Sequence, residues 1–231
     1  MKPRTLDVVA VVALLLLPVV VVLLVGSDRL ACGQGGPTGG TEPLLAASTP
    51  SDQRQSDALA RADWAIPMQC PGLSNFYKVS GDLYRGAQPT AEGFRELAAA
   101  GVRTVVNLRS LHSDRDEMGD VALGYEHIGM QAWQPEDDEV ARFLTIMCDP
   151  QKLPVFVHCH YGADRTGVMC AVYRMAIQGW TPQAAADEMV EGRFGFHKIW
   201  RPLLEDYVCS LDVEAMRQGA GLTSEPFGPT Q

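Results

Sequence analysis

Basic residues are scarce in this 231-residue chain: 19 lysines and arginines stand against 28 aspartates and glutamates, a formal charge of −9. That balance argues against nucleic acid or an acidic membrane surface as the main partner. Cysteine is present but unclustered. Cys32, Cys70, Cys148, Cys159, Cys170 and Cys209 include no C-x-x-C pair, so neither a zinc ribbon nor a disulfide framework is indicated. His112, His127 and His197 lack metal-ligand spacing. No internal repeat is present, and neither a metal nor another cofactor is expected. The length suits one domain of ordinary size with extensions.

The first extension is apolar. Val8 to Val25 carries one proline and no charge, and at about 1.5 Å per residue it approaches the ~30 Å hydrocarbon core of a bilayer. Lys2 and Arg4 precede it, while Asp28 and Arg29 cancel beyond it. The positive-inside bias then puts residues 1–7 in the cytoplasm, and everything after Gly26 outside. Residues 8–25 read as a single-pass anchor, with a cleaved signal or lipoprotein form as the alternative. Leu30-Ala31-Cys32-Gly33 is only faintly like a lipoprotein processing site, because Asp28 and Arg29 stand where small or apolar residues are wanted. Residues 26–63, rich in Gly, Pro, Ser, Thr and Ala, bury too little to order themselves and read as a flexible linker. Residues 64–218 form the folded domain, and 219–231 a disordered tail.

Within the domain, short strands are expected over Phe76–Val79 and Asp82–Arg85 around a Gly81 turn, and helix from a Thr90 N-cap to Ala100. Then follow a buried strand over Val102–Leu108, a helical turn over Arg115–Met118, a strand over Tyr125–Ile128 and a helix over Glu136–Met147. After Val155–His158 the pattern is helical over Val168–Gln178, Pro182–Glu191 and Ile199–Met216. Alternation of strand and helix predicts a single α/β domain, with a central, mainly parallel sheet flanked by helices.

The informative stretch is Val155-Phe156-Val157-His158-Cys159-His160-Tyr161-Gly162-Ala163-Asp164-Arg165-Thr166-Gly167. A buried strand leads into a tight loop and then a helix. Such a loop turns backbone N–H groups toward a common centre, and the helix dipole favours an anion there. The same field stabilises a thiolate, which makes Cys159 a nucleophile. Arg165 can hold two phosphoryl oxygens with its planar fork. Thr166 can hydrogen-bond the sulfur, His158 can brace the loop, and His160, Tyr161, Gly162, Ala163 and Asp164 line the phosphate cradle. The competing reading is a buried structural cysteine before an ordinary helix.

At His158, Cys159, Arg165 and Thr166, with Gly162 and Gly167, the sequence resembles the protein tyrosine phosphatase superfamily, whose signature is His-Cys, five residues, then Arg and Ser or Thr. From Asn75 to about Asp212 it is similar to small bacterial dual-specificity-type phosphatases. Shared stretches are Leu83-Tyr84-Arg85-Gly86-Ala87-Gln88-Pro89 and Val105-Val106-Asn107-Leu108-Arg109. The resemblance implies a dual-specificity-phosphatase-like fold over 64–218 and a cysteine-based phosphomonoester hydrolase acting through phosphocysteine. It also implies that Asn107 and Arg109 support the signature loop.

Such chemistry needs an acid to protonate the leaving oxygen. The candidates are Glu136, Asp137, Asp138 and Glu139, with Asp137 first and Asp138 second. They lie closer in sequence to Cys159 than the acid of many relatives, and a helix's first turn favours carboxylates anyway. Asp114, Asp116 or Glu117 come next. Trp133 could wall the pocket. The loop's variable positions carry no Lys or extra Arg, and Asp164 subtracts charge, so a single-phosphate substrate is expected. That means phosphotyrosine in a protein, with phosphoserine or phosphothreonine as further substrates. An inositol phosphate or lipid substrate, or a weak phosphate-binding module, are the alternatives.

Overall fold

The computed structural model describes residues 61–222. The apolar run over 8–25, most of the linker and the end of the tail lie outside them. Among the described residues no helix is long and apolar enough to cross a membrane.

The described residues form a sheet of β1 (Ile66–Pro67), β2 (Tyr77–Lys78), β3 (Leu83–Gly86), β4 (Thr104–Arg109), β5 (Gly124–Met130) and β6 (Val155–His158), in the order β1-β2-β3-β6-β4-β5. β3, β6, β4 and β5 are parallel, while β1 and β2 add an antiparallel edge. β6 is buried throughout, and β4 at every position but Arg109. A strand covered on both faces needs such a continuous apolar run.

On one face, α1 (Ala91–Ala99) and α2 (Arg115–Met118) pack Phe94, Leu97 and Met118 against Phe76, Val105 and Phe156. Thr90 caps α1 by accepting the Gly93 N–H at 3.3 Å. The other face carries α3 (Asp137–Met147), α4 (Asp164–Ala176), α5 (Pro182–Glu191), α6 (Arg201–Ser210) and α7 (Val213–Gly219). The capping box of α3 pairs Glu136 with Glu139. Central to this layer is α4, in which every residue but Arg165 is buried. Its Arg174 makes a bidentate pair with Glu188 of α5, both bonds 2.7 Å, and donates to the Asp63 carbonyl at 3.0 Å. Glu188 also accepts the Ala65 N–H. This buried pair ties the segment entering β1 onto the helical face.

Two expectations need correction. The helix after the signature begins at Asp164, four residues before Val168, because its first turn is built of polar residues that apolar periodicity cannot register. The single helix expected over Ile199–Met216 is a 3₁₀ turn at Lys198–Trp200, then α6 and α7. The break is chemical: Leu211 is extended and Asp212 caps α7 by accepting the Ala215 N–H at 3.0 Å.

Candidate active site

The signature loop joins the carboxyl end of β6 to α4, the end of a parallel sheet where ligands bind. Its carbonyl groups all have partners on the outside. The His160 oxygen accepts the Gln88 N–H at 3.2 Å, and the Tyr161 oxygen accepts Asn75 Nδ2 at 2.8 Å. Arg85 donates to the Gly162 oxygen at 2.8 Å and to the Ala163 oxygen at 3.4 Å, and Gly167 N–H also reaches Ala163. A planar trans peptide whose carbonyl turns outward turns the next N–H inward. Accordingly the N–H groups of residues 161–166 donate to no described atom. The loop is a set of unspent donors at a helix N-terminus, a cradle for an anion.

Arg85 is the beam beneath this loop. It is 1% exposed, and its guanidinium lies 3.7 Å from the centroid of the Phe194 ring. Gly162 closes the turn at φ +69°, and a side chain there would meet the Gly86 carbonyl carbon at 2.3 Å. The loop can therefore seat on β3 only with a glycine at this point.

Cys159 is 3% exposed. Its predecessor His158 is fully buried and lies 2.8 Å from Asp114 Oδ2 through Nε2, and 3.2 Å from the Cys159 carbonyl oxygen through Nδ1. Asp114 Oδ1 also accepts Gln88 Nε2 at 2.9 Å and Asn107 Nδ2 at 3.0 Å. The carboxylate thus gathers His158, Gln88 and Asn107 at one point. Asp114 is therefore a fully buried brace for His158. As a fallback general acid it is ruled out by its position, for it has no exposed surface.

Arg165 lines an open cleft of about 440 Å³ with Arg109, Ser110, Leu111, His112, His160 and Tyr161. Its Nη1 rests 3.4 Å from the carbonyl oxygens of Leu108 and Met130. Burial first, then the charges of Arg109, Arg165 and His112, lower the pKa of His160 and hold it neutral at pH 7. The expected Thr166–sulfur hydrogen bond is absent: the Thr166 hydroxyl is buried with no hydrogen-bond partner among the described residues. The Asp164 carboxylate is turned toward His197. It is 7% exposed and accepts both the His197 N–H at 2.9 Å and His197 Nδ1 at 2.7 Å, pinning the loop before the 3₁₀ turn to the cradle. His197 then stands 5.5 Å from the Tyr161 ring, and Tyr161 stands 4.4 Å from His160.

Asp137 opens α3, exposed, and accepts the Tyr207 hydroxyl at 3.0 Å. The Tyr207 pKa is raised by burial first and by this carboxylate second, so the phenol keeps its proton and donates. Asp138 Oδ1 accepts the Glu139 N–H. Trp133, on the preceding loop, lies 6.0 Å from the Trp200 ring. The roles of Arg85, Asn75, Asp114 and His197 were not legible from spacing. Arg85 at least stood within Leu83-Tyr84-Arg85-Gly86-Ala87-Gln88-Pro89, a stretch shared with the dual-specificity group.

Residues 74–199 match the family described as DSP-PTPase phosphatase fused to NAD+ kinase. The chain belongs to the DSP-PTPase family. A related member is the dual specificity protein phosphatase TpbA of Pseudomonas aeruginosa, 35% identical over 144 residues, covering 62% of this chain and 65% of TpbA. The chain thus spans less than two thirds of that relative's length. The crystal structure of P. aeruginosa TpbA superposes with a TM-score of 0.61 at 33% identity, covering 69% of this chain and 97% of the TpbA chain. A cysteine-to-serine form of TpbA, in complex with phosphotyrosine, matches with a TM-score of 0.61 at 31% identity, over 69% of this chain and 96% of that one. A more distant relative is the inositol diphosphatase DSP3 of Arabidopsis thaliana, 24% identical over 155 residues, covering 63% of this chain and 73% of DSP3.

Proposed function

We propose that the chain is a cysteine-dependent phosphomonoester hydrolase of the tyrosine and dual-specificity type, acting through a phosphocysteine intermediate. The observation that carries this reading is the set of unspent N–H donors of residues 161–166 at the start of α4, with Cys159 and Arg165 at its two ends. Cys159 Sγ attacks phosphorus, the S–P bond forms and the P–O ester bond breaks. The N–H groups and Arg165 meet the charge on the non-bridging oxygens, and the leaving oxygen takes a proton. Water then cleaves the S–P bond, releasing phosphate and the thiolate. Because the cradle supplies its own positive charge, steady turnover of p-nitrophenyl phosphate without added metal, unaffected by EDTA, is the expected assay result. Neither a burst nor turnover would leave only a phosphate-binding module, whereas a burst alone would show that phosphocysteine forms and is not hydrolysed.

Asp137 is the proposed general acid, with the Tyr207 hydroxyl orienting its carboxylate. A phenolate of low pKa departs unaided, whereas phosphotyrosine and alkyl phosphates need the proton. Asp137→Asn is expected to lose ~10²–10⁴-fold in rate on phosphotyrosine and far less on an activated aryl phosphate. Rates across aryl phosphates of graded leaving-group pKa check this. A shallow dependence in both Asp137→Asn and Asp138→Asn places the acid elsewhere.

The phosphotyrosine complex of TpbA supports a phosphotyrosyl protein as first substrate, with phosphoserine and phosphothreonine after it. The inositol diphosphatase relative supports the second reading, a non-protein phosphomonoester such as an inositol phosphate or a lipid. For location, the apolar run over 8–25 and the charges before it support a single-pass anchor with the catalytic domain extracytoplasmic, or a secreted or lipoprotein form after cleavage. A reporter fused after Gln231 should be active only outside the cytoplasm. Activity confined to the cytoplasm reverses the topology.

A further inference from the structure

We infer that Trp133, Trp200, Ile199 and Leu203 form a docking surface beside the catalytic cleft for the polypeptide that carries the phosphorylated residue. The surface selects large apolar side chains a few positions from that residue. The inference rests on the tyrosine and dual-specificity reading above. Two segments leave the rim of the cradle and converge. Met130, at the end of β5, places its carbonyl oxygen 3.4 Å from Arg165 Nη1, and Trp133 follows three residues on. His197 is bonded to Asp164 at 2.7 Å, and Trp200 likewise follows three residues on. The two indoles meet with ring centroids 6.0 Å apart. Three residues span at most about 11 Å, so the tryptophan pair borders the cleft.

The surface is apolar and uncovered among the described residues: Ile199 is 75% exposed, Leu203 56% and Trp133 48%. The stripe that α6 buries runs through Leu204 and Val208, which leaves Leu203 outside the core. Ile199 lies four residues before it, across the junction of the 3₁₀ turn with α6. Trp200 is half-buried against the core and backs the Trp133 ring. Contiguous exposed apolar side chains mark an interaction site, and tryptophan is enriched where such sites hold most of their binding energy. Continuity with the cleft and local charge decide the occupant. An inositol phosphate brings no apolar surface to lay on two indoles. An anionic lipid surface is repelled by Glu136, Asp137 and Asp138, all exposed just beyond Trp133. A phosphotyrosyl polypeptide enters the cleft by its phosphate and has to run out across the rim. Extended residues advance about 3.3 Å each, which carries side chains two to four positions away over the tryptophan pair. The same three carboxylates disfavour acidic residues there.

The test measures kcat/KM of the full chain on two phosphotyrosyl peptides of equal length and charge. One carries leucine or phenylalanine at the second to fourth positions on both sides of the phosphotyrosine, and the other carries serine there. The apolar peptide should be the better substrate by at least roughly tenfold, a difference of about 1.4 kcal/mol. Ile199→Ser combined with Leu203→Ser should bring that ratio close to one. Turnover of p-nitrophenyl phosphate should stay unchanged in this variant, which shows that it folds. Trp133→Ala should lower the ratio as well, a reading from the other segment. A ratio near one in the parent, or one that survives the double substitution, overturns the docking surface and leaves the phosphatase reading standing. With a ratio near one, a dimer seen by light scattering and dissociated by the double substitution assigns the surface to a second copy instead. Phosphatidylglycerol vesicles that blue-shift the tryptophan emission of the parent, but not of the double variant, assign it to a membrane. Turnover of p-nitrophenyl phosphate without turnover of either peptide removes the polypeptide substrate and the surface together. Failure on p-nitrophenyl phosphate itself removes the phosphatase reading.

Discussion

Cys159→Ser is expected to drop turnover by about 10⁴- to 10⁶-fold, as loss of a nucleophile does elsewhere, while phosphate binding persists. The two halves of this result separate because different atoms carry them. Binding belongs to the N–H groups of residues 161–166 and to Arg165, whose placement depends on Arg85, Asn75 and Gln88 holding the loop carbonyls outward. A serine hydroxyl leaves that frame intact, but it is a poor nucleophile without a base beside it. Arg165→Lys should fail for the complementary reason: an ammonium is a point charge and cannot present two parallel donors to two phosphoryl oxygens. Its loss should therefore appear in both KM and kcat. Steady-state kinetics with p-nitrophenyl phosphate, alongside phosphate titration of each variant, read both predictions. Full activity in Cys159→Ser would sink the phosphocysteine mechanism.

What the sequence made legible is tied to periodicity and to local chemistry. β4 and β6 are covered on both faces, so their composition alone marks them. Cys159 and Arg165 lie within one loop, where spacing is geometry. The supports of that loop are another matter. Arg85, Asn75, Asp114 and His197 are separated from it by tens of residues; Arg85 and Asp114 reach it because β3, β4 and β6 are neighbours in the sheet, while Asn75 and His197 come from loops outside those strands. In the sequence Asp114 is no more than a fallback acid behind Asp137 and Asp138. Nothing local reveals that Tyr125, Asn107, Gln88 and His158 close around it. Arg109 shows the same limit. At the end of a strand it reads as support, and only the fold turns it into the cleft beside Arg165.

Asp114→Ala is expected to cost roughly 3 kcal/mol or more of stability, because each buried donor left without its acceptor costs about 1–3 kcal/mol. Asp114 and His158 both have fully buried side chains and lie 2.8 Å apart. The imidazole cannot turn to water for a new acceptor, and Gln88 and Asn107 lose theirs as well. Burying a charge or an unsatisfied donor without its partner is what makes such truncations expensive. Asp114→Asn keeps the shape and one acceptor oxygen, so it should destabilise less. Its amide nitrogen, however, meets either His158 or the Gln88 and Asn107 donors, and it cannot suit both. Activity should fall in both variants, because His158 reaches the Cys159 carbonyl and Gln88 N–H holds the His160 carbonyl. Urea unfolding of the full chain and kcat/KM for both variants measure the two effects. Asp114→Ala within about 1 kcal/mol of the parent, where ordinary surface substitutions fall, would mean that His158 has found another acceptor and that the buried pair does not hold the signature loop.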